Sequence, residues 1–155
     1  NRNTLFIGSP IFEIYKNRLG YSEKNIWNMC VKAKKEYPIF IKSLKYLLHP
    51  NQNKPPYVKN NFIIKNINTY NNYGQIIGVF SSYLTESWLM NKKTISIQPS
   101  IFKEDKWIAS KYYKEKSVKN YKEFINMLKK DKKNTLPFNK SKSCVNNYLQ
   151  LIEAL

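Results

Sequence analysis

Ser81-Ser82, Glu86 and His49-Pro50 are the residues of this chain whose types and spacing could do chemistry. The two serines end an apolar, β-branched run at 75–80, which reads as a buried strand. Residues 83–90 then place Leu84, Trp88 and Leu89 at helical spacing. The serines therefore sit where a strand ends and a helix begins. Unpaired N–H groups and the positive end of the helix dipole collect there. Two hydroxyls added to those amides make a site for a phosphate oxygen. Glu86 falls one turn up the same face from Ser82, where a carboxylate could accept hydrogen bonds from ribose hydroxyls. A plain N-cap role for Ser82 and a solvated position for Glu86 account for the same residues equally well.

His49 is the sole histidine. It closes a strand candidate at 45–48, and Pro50 holds it in extended geometry at the strand's rim. If that strand and 75–80 share one parallel sheet, His49 and Ser81-Ser82 face a common crevice. Open α/β sheets bind ligands in the crevice outside the strands' carboxyl ends. Imidazole beside a phosphate can donate a hydrogen bond, carry charge, or act as general acid toward a leaving phosphate. A structural histidine bonded to a backbone carbonyl is the plainer alternative. The paired serines at a matching topological position favour the phosphate reading.

The elements that must position these residues are legible as an alternation. Residues 75–80, 83–90 and 94–98 read as strand, helix and strand, a βαβ unit whose strands should be parallel. Residues 4–8 read as a strand that stops at Gly8-Ser9-Pro10, a loop on the ligand side. Residues 11–18 suit a short helix or an ordered loop. Ser22 is a candidate N-cap, with Glu23 in the first turn of a helix running to about Glu36. Ile26, Trp27, Cys30, Val31 and Ala33 supply its buried face. Residues 39–44 suit a further turn of helix, 62–65 a strand, and 66–74 a connection.

Beyond Pro99, residues 100–106 read as a loop, 107–113 as a short helix and 116–118 as a short edge strand. Phe124, Ile125 and Leu128 mark a helix over 121–130. A basic linker follows, then a last helix capped by Ser141 or Ser143, with Val145, Tyr148, Leu149 and Ile152 as its apolar stripe. Alternating strands and helices predict an α/β fold with a Rossmann-like, doubly wound parallel sheet.

A chain of 155 residues, 42% of them hydrophobic, should form one domain with a real core. No apolar run reaches the roughly 18 residues of a transmembrane helix. The opening NRNTLFIGSP has no initiator Met and no signal peptide, as expected of a piece of a longer protein. Cys30 and Cys144 fit no metal-ligand spacing, which argues against a zinc site and for free thiols in a reducing compartment. The net charge of +17 first suggests nucleic acid. Yet the lysines are scattered, and Arg2 and Arg18 are the only arginines. Arginine is the usual base reader, so this composition argues against sequence-specific DNA recognition. The abundance of Lys, Asn, Ile and Tyr also fits an AT-rich coding sequence. A basic surface suits an anionic nucleotide donor, or the anionic inner face of a membrane.

The ordered motifs resemble the C-terminal, nucleotide-binding half of GT-B glycosyltransferases. They are a strand ending in His49-Pro50, a strand–helix turn with Ser81-Ser82, a helix with Glu86, and the strand Ser96-Ile97-Gln98-Pro99. Within that fold the chain is similar to bacterial sialyltransferases and polysialyltransferases. Their HP and SS/ST motifs bind the cytidine monophosphate part of CMP-sialic acid. The opening LFIGSPIFE and LGYSE also resemble the first strand and loop of that half, and the likeness spans roughly residues 4–130.

The resemblance implies that His49 contacts the donor phosphate and helps the nucleotide leave. It implies that Ser81 and Ser82 hold that phosphate, that Glu86 lies near the ribose, and that Gly8, Ser9 and Pro10 border the cleft. Electrostatic help to the departing phosphate would be the main source of rate. It further implies a CMP-sugar as substrate, with no metal or other cofactor, and a carbohydrate acceptor held by an N-terminal half. The parent enzyme would work in surface-polysaccharide or lipooligosaccharide synthesis, in the cytoplasm and peripherally at the inner membrane.

Two departures stand out. The family's acidic-and-Gly motif, which supplies the base for the acceptor, has no counterpart; Glu104-Asp105 is followed by Lys106. This piece alone is therefore expected to bind donor without turnover. Asn51 and Gln52 also follow His49-Pro50, where the family often has a charged residue. CDP-glycerol polymerases carry a comparable HP and SS pair, so a phosphopolyol transferase of the same fold remains an alternative. So do a nucleotide-sugar epimerase half and a non-catalytic basic module that binds nucleic acid or a protein partner.

Overall fold

The computed structural model describes residues 2–11, 18–65, 71–100, 105–113 and 115–131. Five short strands form one sheet: β1 (Asn3–Ile7), β2 (Ser43–Leu47), β3 (Ile63–Ile64), β4 (Gln75–Gly78) and β5 (Lys93–Ser96). Their order is β3-β2-β1-β4-β5, and every pairing is parallel. The Rossmann-like α/β architecture is thus present. Among the described residues four α-helices accompany the sheet: α1 (Glu23–Glu36), α2 (Ser82–Leu89), α3 (Ile108–Tyr112) and α4 (Tyr121–Lys129).

A parallel sheet must be covered on both faces, so its strands read as continuous apolar runs. β1 shows how the residues divide. Phe6 turns to one face, where Trp27, Cys30 and Ala33 of α1 and Phe124 and Leu128 of α4 form the core. Leu5 and Ile7 turn to the other, against Leu84 and Trp88 of α2 and Trp107 and Ala109 at α3. Ile76 and Ile77 of β4 divide in the same way. Phe6 stacks on Tyr46, and both meet Trp27 edge to face, with centroids 5.3–5.5 Å apart.

The helix starts are specified locally. Ser22 caps α1 by accepting the Asn25 N–H at 3.3 Å. Asn120 caps α4 by accepting the Glu123 N–H at 3.0 Å, and Glu123 reaches back to the Lys119 N–H at 2.8 Å. At the far end of the sheet Lys93 donates to the Leu128 carbonyl at 2.7 Å and Arg2 pairs with Asp131. Burial and the nearby Arg2 charge push the Lys93 ammonium down to about 8.

The element boundaries depart from expectation at places where pairing overrides local preference. Residues 39–44 do not continue a helix. Pro38 ends α1 and a turn follows, and β2 already begins at Ser43, paired residue by residue with β1. β4 stops at Gly78 rather than at residue 80. The Val79 carbonyl is met by the side chains of Ser96 and Gln98, which releases the chain to bend toward α2. The edge strand expected at 116–118 is a single parallel bridge between Val118 and Ile97. Most of 11–18, part of 66–74, most of 100–106, the basic linker after Asp131, the last helix and Cys144 lie outside the described residues. Among the described residues no helix is long and apolar enough to cross a membrane.

Candidate functional site

The strand order places the chemistry. The chain leaves β1 toward β2 and β3 on one side, and later places β4 and β5 on the other. The loops after β1 and β4 therefore diverge at their carboxyl ends, the arrangement that opens a ligand crevice in such sheets. A cleft of about 370 Å³ lies there, lined by Ser9, Pro10, Ile11, His49, Pro50, Phe80, Ser81, Ser82 and Tyr83. Six of the residues singled out in the sequence thus meet around one space, although they come from three loops.

Ser81, rather than Ser82, is the N-cap of α2. Its Oγ accepts the Leu84 N–H at 3.2 Å. Its hydroxyl proton remains available to a ligand. Ser82 is the first helical residue and is exposed. His49 accepts the Asn51 N–H on Nδ1 at 3.1 Å, and its carbonyl accepts the Gln52 N–H at 3.0 Å. None of the lining residues is acidic. Hydroxyls, a ring N–H and a helix N-terminus around an acid-free cleft can hold an anion.

Gly8 and Glu86 stand apart from that lining. Gly8 acts from behind the cleft. A Cβ there would lie 2.6 Å from Tyr46 Oη, 2.8 Å from Gln52 Oε1 and 2.8 Å from the Leu47 carbonyl. The absence of a side chain lets β1 and the loop after β2 close together. Glu86 is half-buried on α2, and burial raises its carboxyl above the usual 4.5. It is not among the residues lining the cleft.

Sequence reasoning treated Glu23 only as a first-turn residue, and the structure gives it a larger part. Its carboxylate is buried and accepts from the Ser9 N–H and the Tyr46 hydroxyl. It also accepts from Gln52 Nε2 at 3.0 Å and the Tyr57 hydroxyl at 2.7 Å. One side chain thus ties the loop after β1 to β2 and to the loop following His49-Pro50. Burial pushes the carboxyl up against the opposing pull of these hydrogen bonds, and the same burial and the Glu23 charge push Tyr46 up. A signal was present in the sequence: Glu23 lies three and four residues before Ile26 and Trp27, on the helix's apolar stripe. Glu23 also floors a second cavity of about 650 Å³, which shares Ser9 and Ile11 with the cleft.

Among the described residues no cluster of His, Cys, Asp or Glu could hold a metal ion. No family model, curated protein or solved structure matches the chain.

Proposed function

We propose that this chain is the donor-binding domain of a glycosyltransferase of surface-polysaccharide or lipooligosaccharide synthesis. Its donor would be sialic acid or a related sugar activated as a CMP conjugate. The observation that carries the reading is the convergence of Ser9, His49, Ser81 and Ser82 on one acid-free cleft at the sheet's switch point. The cytidine and the glycosyl-transfer chemistry come from the resemblance of the HP and SS motifs, a fold-level analogy.

In this reading the donor phosphate lies between α2 and the His49 loop. Ser81 donates its hydroxyl while capping the helix, and Ser82 donates without a structural duty. His49 directs Nε2–H at the leaving phosphate and stabilises the charge that grows there. The acceptor and its activating base belong to the other half of the enzyme, and the basic surface would help hold it at the anionic inner membrane.

Calorimetric titration with CMP, UMP and GMP, in wild type and Ser82→Ala, tests the proposal. CMP should bind best, and Ser82→Ala should weaken it by about tenfold, the worth of a charge-assisted hydrogen bond. Preference for UMP would remove the cytidine assignment. No nucleotide binding, together with salt-sensitive binding to random DNA, would replace the proposal with a basic nucleic-acid module.

A further inference from the structure

The stretch Ser96-Ile97-Gln98-Pro99 contributes nothing to the lining of the phosphate cleft, yet its two polar side chains are fully buried. Buried polar groups need hydrogen-bond partners, and these two converge on a single carbonyl. The Ser96 hydroxyl donates to the Val79 carbonyl, and Gln98 Nε2 approaches the same oxygen at 3.5 Å. Gln98 Nε2 also donates to Ser96 Oγ at 2.8 Å, while Gln98 Oε1 accepts the Lys106 N–H at 2.8 Å. A backbone amide only donates, so Lys106 fixes which end of the carboxamide faces Ser96. Ser96 and Gln98 thus form a relay of one polarity that ends on Val79.

Successive carbonyls of a regular strand point to opposite neighbours. The end of β4 breaks that alternation. The Gly78 carbonyl accepts the Ile97 N–H at 2.9 Å, on the β5 side, and the Val79 carbonyl is also met from the β5 side. Regular geometry would send it toward β1. The register agrees: β4 stays paired with β5 as far as Gly78 and Ser96, but with β1 only as far as Ile77 and Phe6. The chain therefore rotates away from β1 at Val79. Phe80 and Ser81, both in the cleft lining, follow at once. A Val79 carbonyl left on the β1 side would also present a lone pair to the crevice and repel an anion. We infer that Ser96 and Gln98 are positioning residues for the anion site: by holding the Val79 carbonyl toward β5 they open the crevice between β1 and β4 and aim Ser81 and Ser82 into it. The inference rests on the phosphate-binding role of the cleft proposed above, and on neither the base nor the sugar of the donor.

The test titrates wild type, Ser96→Ala, Ser96→Thr, Gln98→Glu and Ile125→Val with inorganic phosphate, CMP and cytidine, and takes the urea midpoint of each. Gln98→Glu keeps an acceptor for Lys106 but sets a second acceptor against Ser96. Should that buried carboxylate prevent folding, Ser96→Ala still removes the hydroxyl donor to Val79. Ile125→Val trims the core at α4, which contributes no group to the cleft. Ser96→Ala should weaken phosphate and CMP by the same factor, about tenfold, and leave cytidine unchanged. Ser96→Thr keeps the hydroxyl and should restore binding. Ile125→Val should lose stability without losing affinity. The same pattern for phosphate, in a protein with no preference for CMP, keeps the inference and removes the nucleotide reading. Equal loss of affinity in Ser96→Ala and Ile125→Val would reduce the relay to general stability and overturn the inference. Full affinity in a folded Ser96→Ala would overturn it as well and leave the nucleotide reading standing. A wild type that binds neither phosphate nor CMP would remove the anion site and the inference with it.

Discussion

The backbone N–H of Asn51 donates to Nδ1 of His49 across 3.1 Å. A ring nitrogen that accepts carries no proton, so the neutral imidazole is the Nε2–H tautomer. The turn after β2 thereby presets His49 as a hydrogen-bond donor. Because His49 is the only histidine, its ring nitrogens can be observed alone in a ¹⁵N-labelled sample. The expected spectrum shows a protonated Nε2 and a bare Nδ1 in the neutral form. Asn51→Pro removes the donor and should let the other tautomer appear. CMP affinity should fall by several-fold in Asn51→Pro and by about tenfold in His49→Ala. A wild-type spectrum dominated by protonated Nδ1 would contradict this account.

Ser81 and Ser82 separate by task. Ser81 caps α2, so Ser81→Ala should lower stability by about 1 kcal/mol in urea unfolding, whether or not a ligand is present. Ser82 is exposed and makes no cap, so Ser82→Ala should leave the urea midpoint unchanged and weaken CMP binding. If Ser82→Ala costs stability and leaves binding intact, the pair serves only the helix.

Much of this arrangement was legible before the fold, and for a physical reason. A strand covered on both faces needs apolar residues at every position, and Leu5, Phe6 and Ile7 announce that. Ser22 announces a helix start because few other side chains can accept from the first free amides, whereas at the serine pair the cap falls on Ser81, one residue before the expected Ser82. The strand at 45–48 is legible, but Ser43 and Leu44 read as part of a helical turn over 39–44, because Lys and Leu propagate a helix as readily as they line a strand. Only pairing with β1, a contact 40 residues away in sequence at Ser43 and Asn3, decides it. Glu23 was passed over because a charge in a first turn is ordinary. Its burial depends on Tyr46, Gln52 and Tyr57, which no local pattern brings together.

Gly8 offers a direct check on how closely the loops meet. Any Cβ there intrudes on Tyr46, Gln52 and a backbone carbonyl at 2.6–2.8 Å. The carbonyl cannot move without disturbing the bond by which the Gly8 N–H reaches Leu47 at 2.9 Å. Gly8→Ala should therefore destabilise by about 1–3 kcal/mol in urea unfolding, as overpacking generally does. Because it displaces the loop carrying Ser9, it should also weaken CMP. Unchanged stability would mean that the two loops stand farther apart.

Glu23 makes stability depend on pH in a direction opposite to most carboxylates. Burial raises its carboxyl above the usual 4.5 in the folded chain, so ionisation is easier once the chain unfolds. A group raised in this way favours folding fully below its unfolded value, and the advantage is lost as pH rises through the folded value. Glu23→Gln cannot ionise, so it lacks that loss, although it gives up an acceptor for Tyr46, Tyr57 and Ser9. The difference in unfolding free energy, wild type minus Glu23→Gln, should decline as pH rises from the usual carboxyl value of 4.5 through the raised folded value. Urea midpoints taken across that range measure it. Tyr57→Phe removes one of the four donors that favour the ionised form, so it should raise the folded value further and shift the decline to higher pH. A difference that instead grows with pH would mean that the four donors outweigh burial and hold Glu23 as a buried anion.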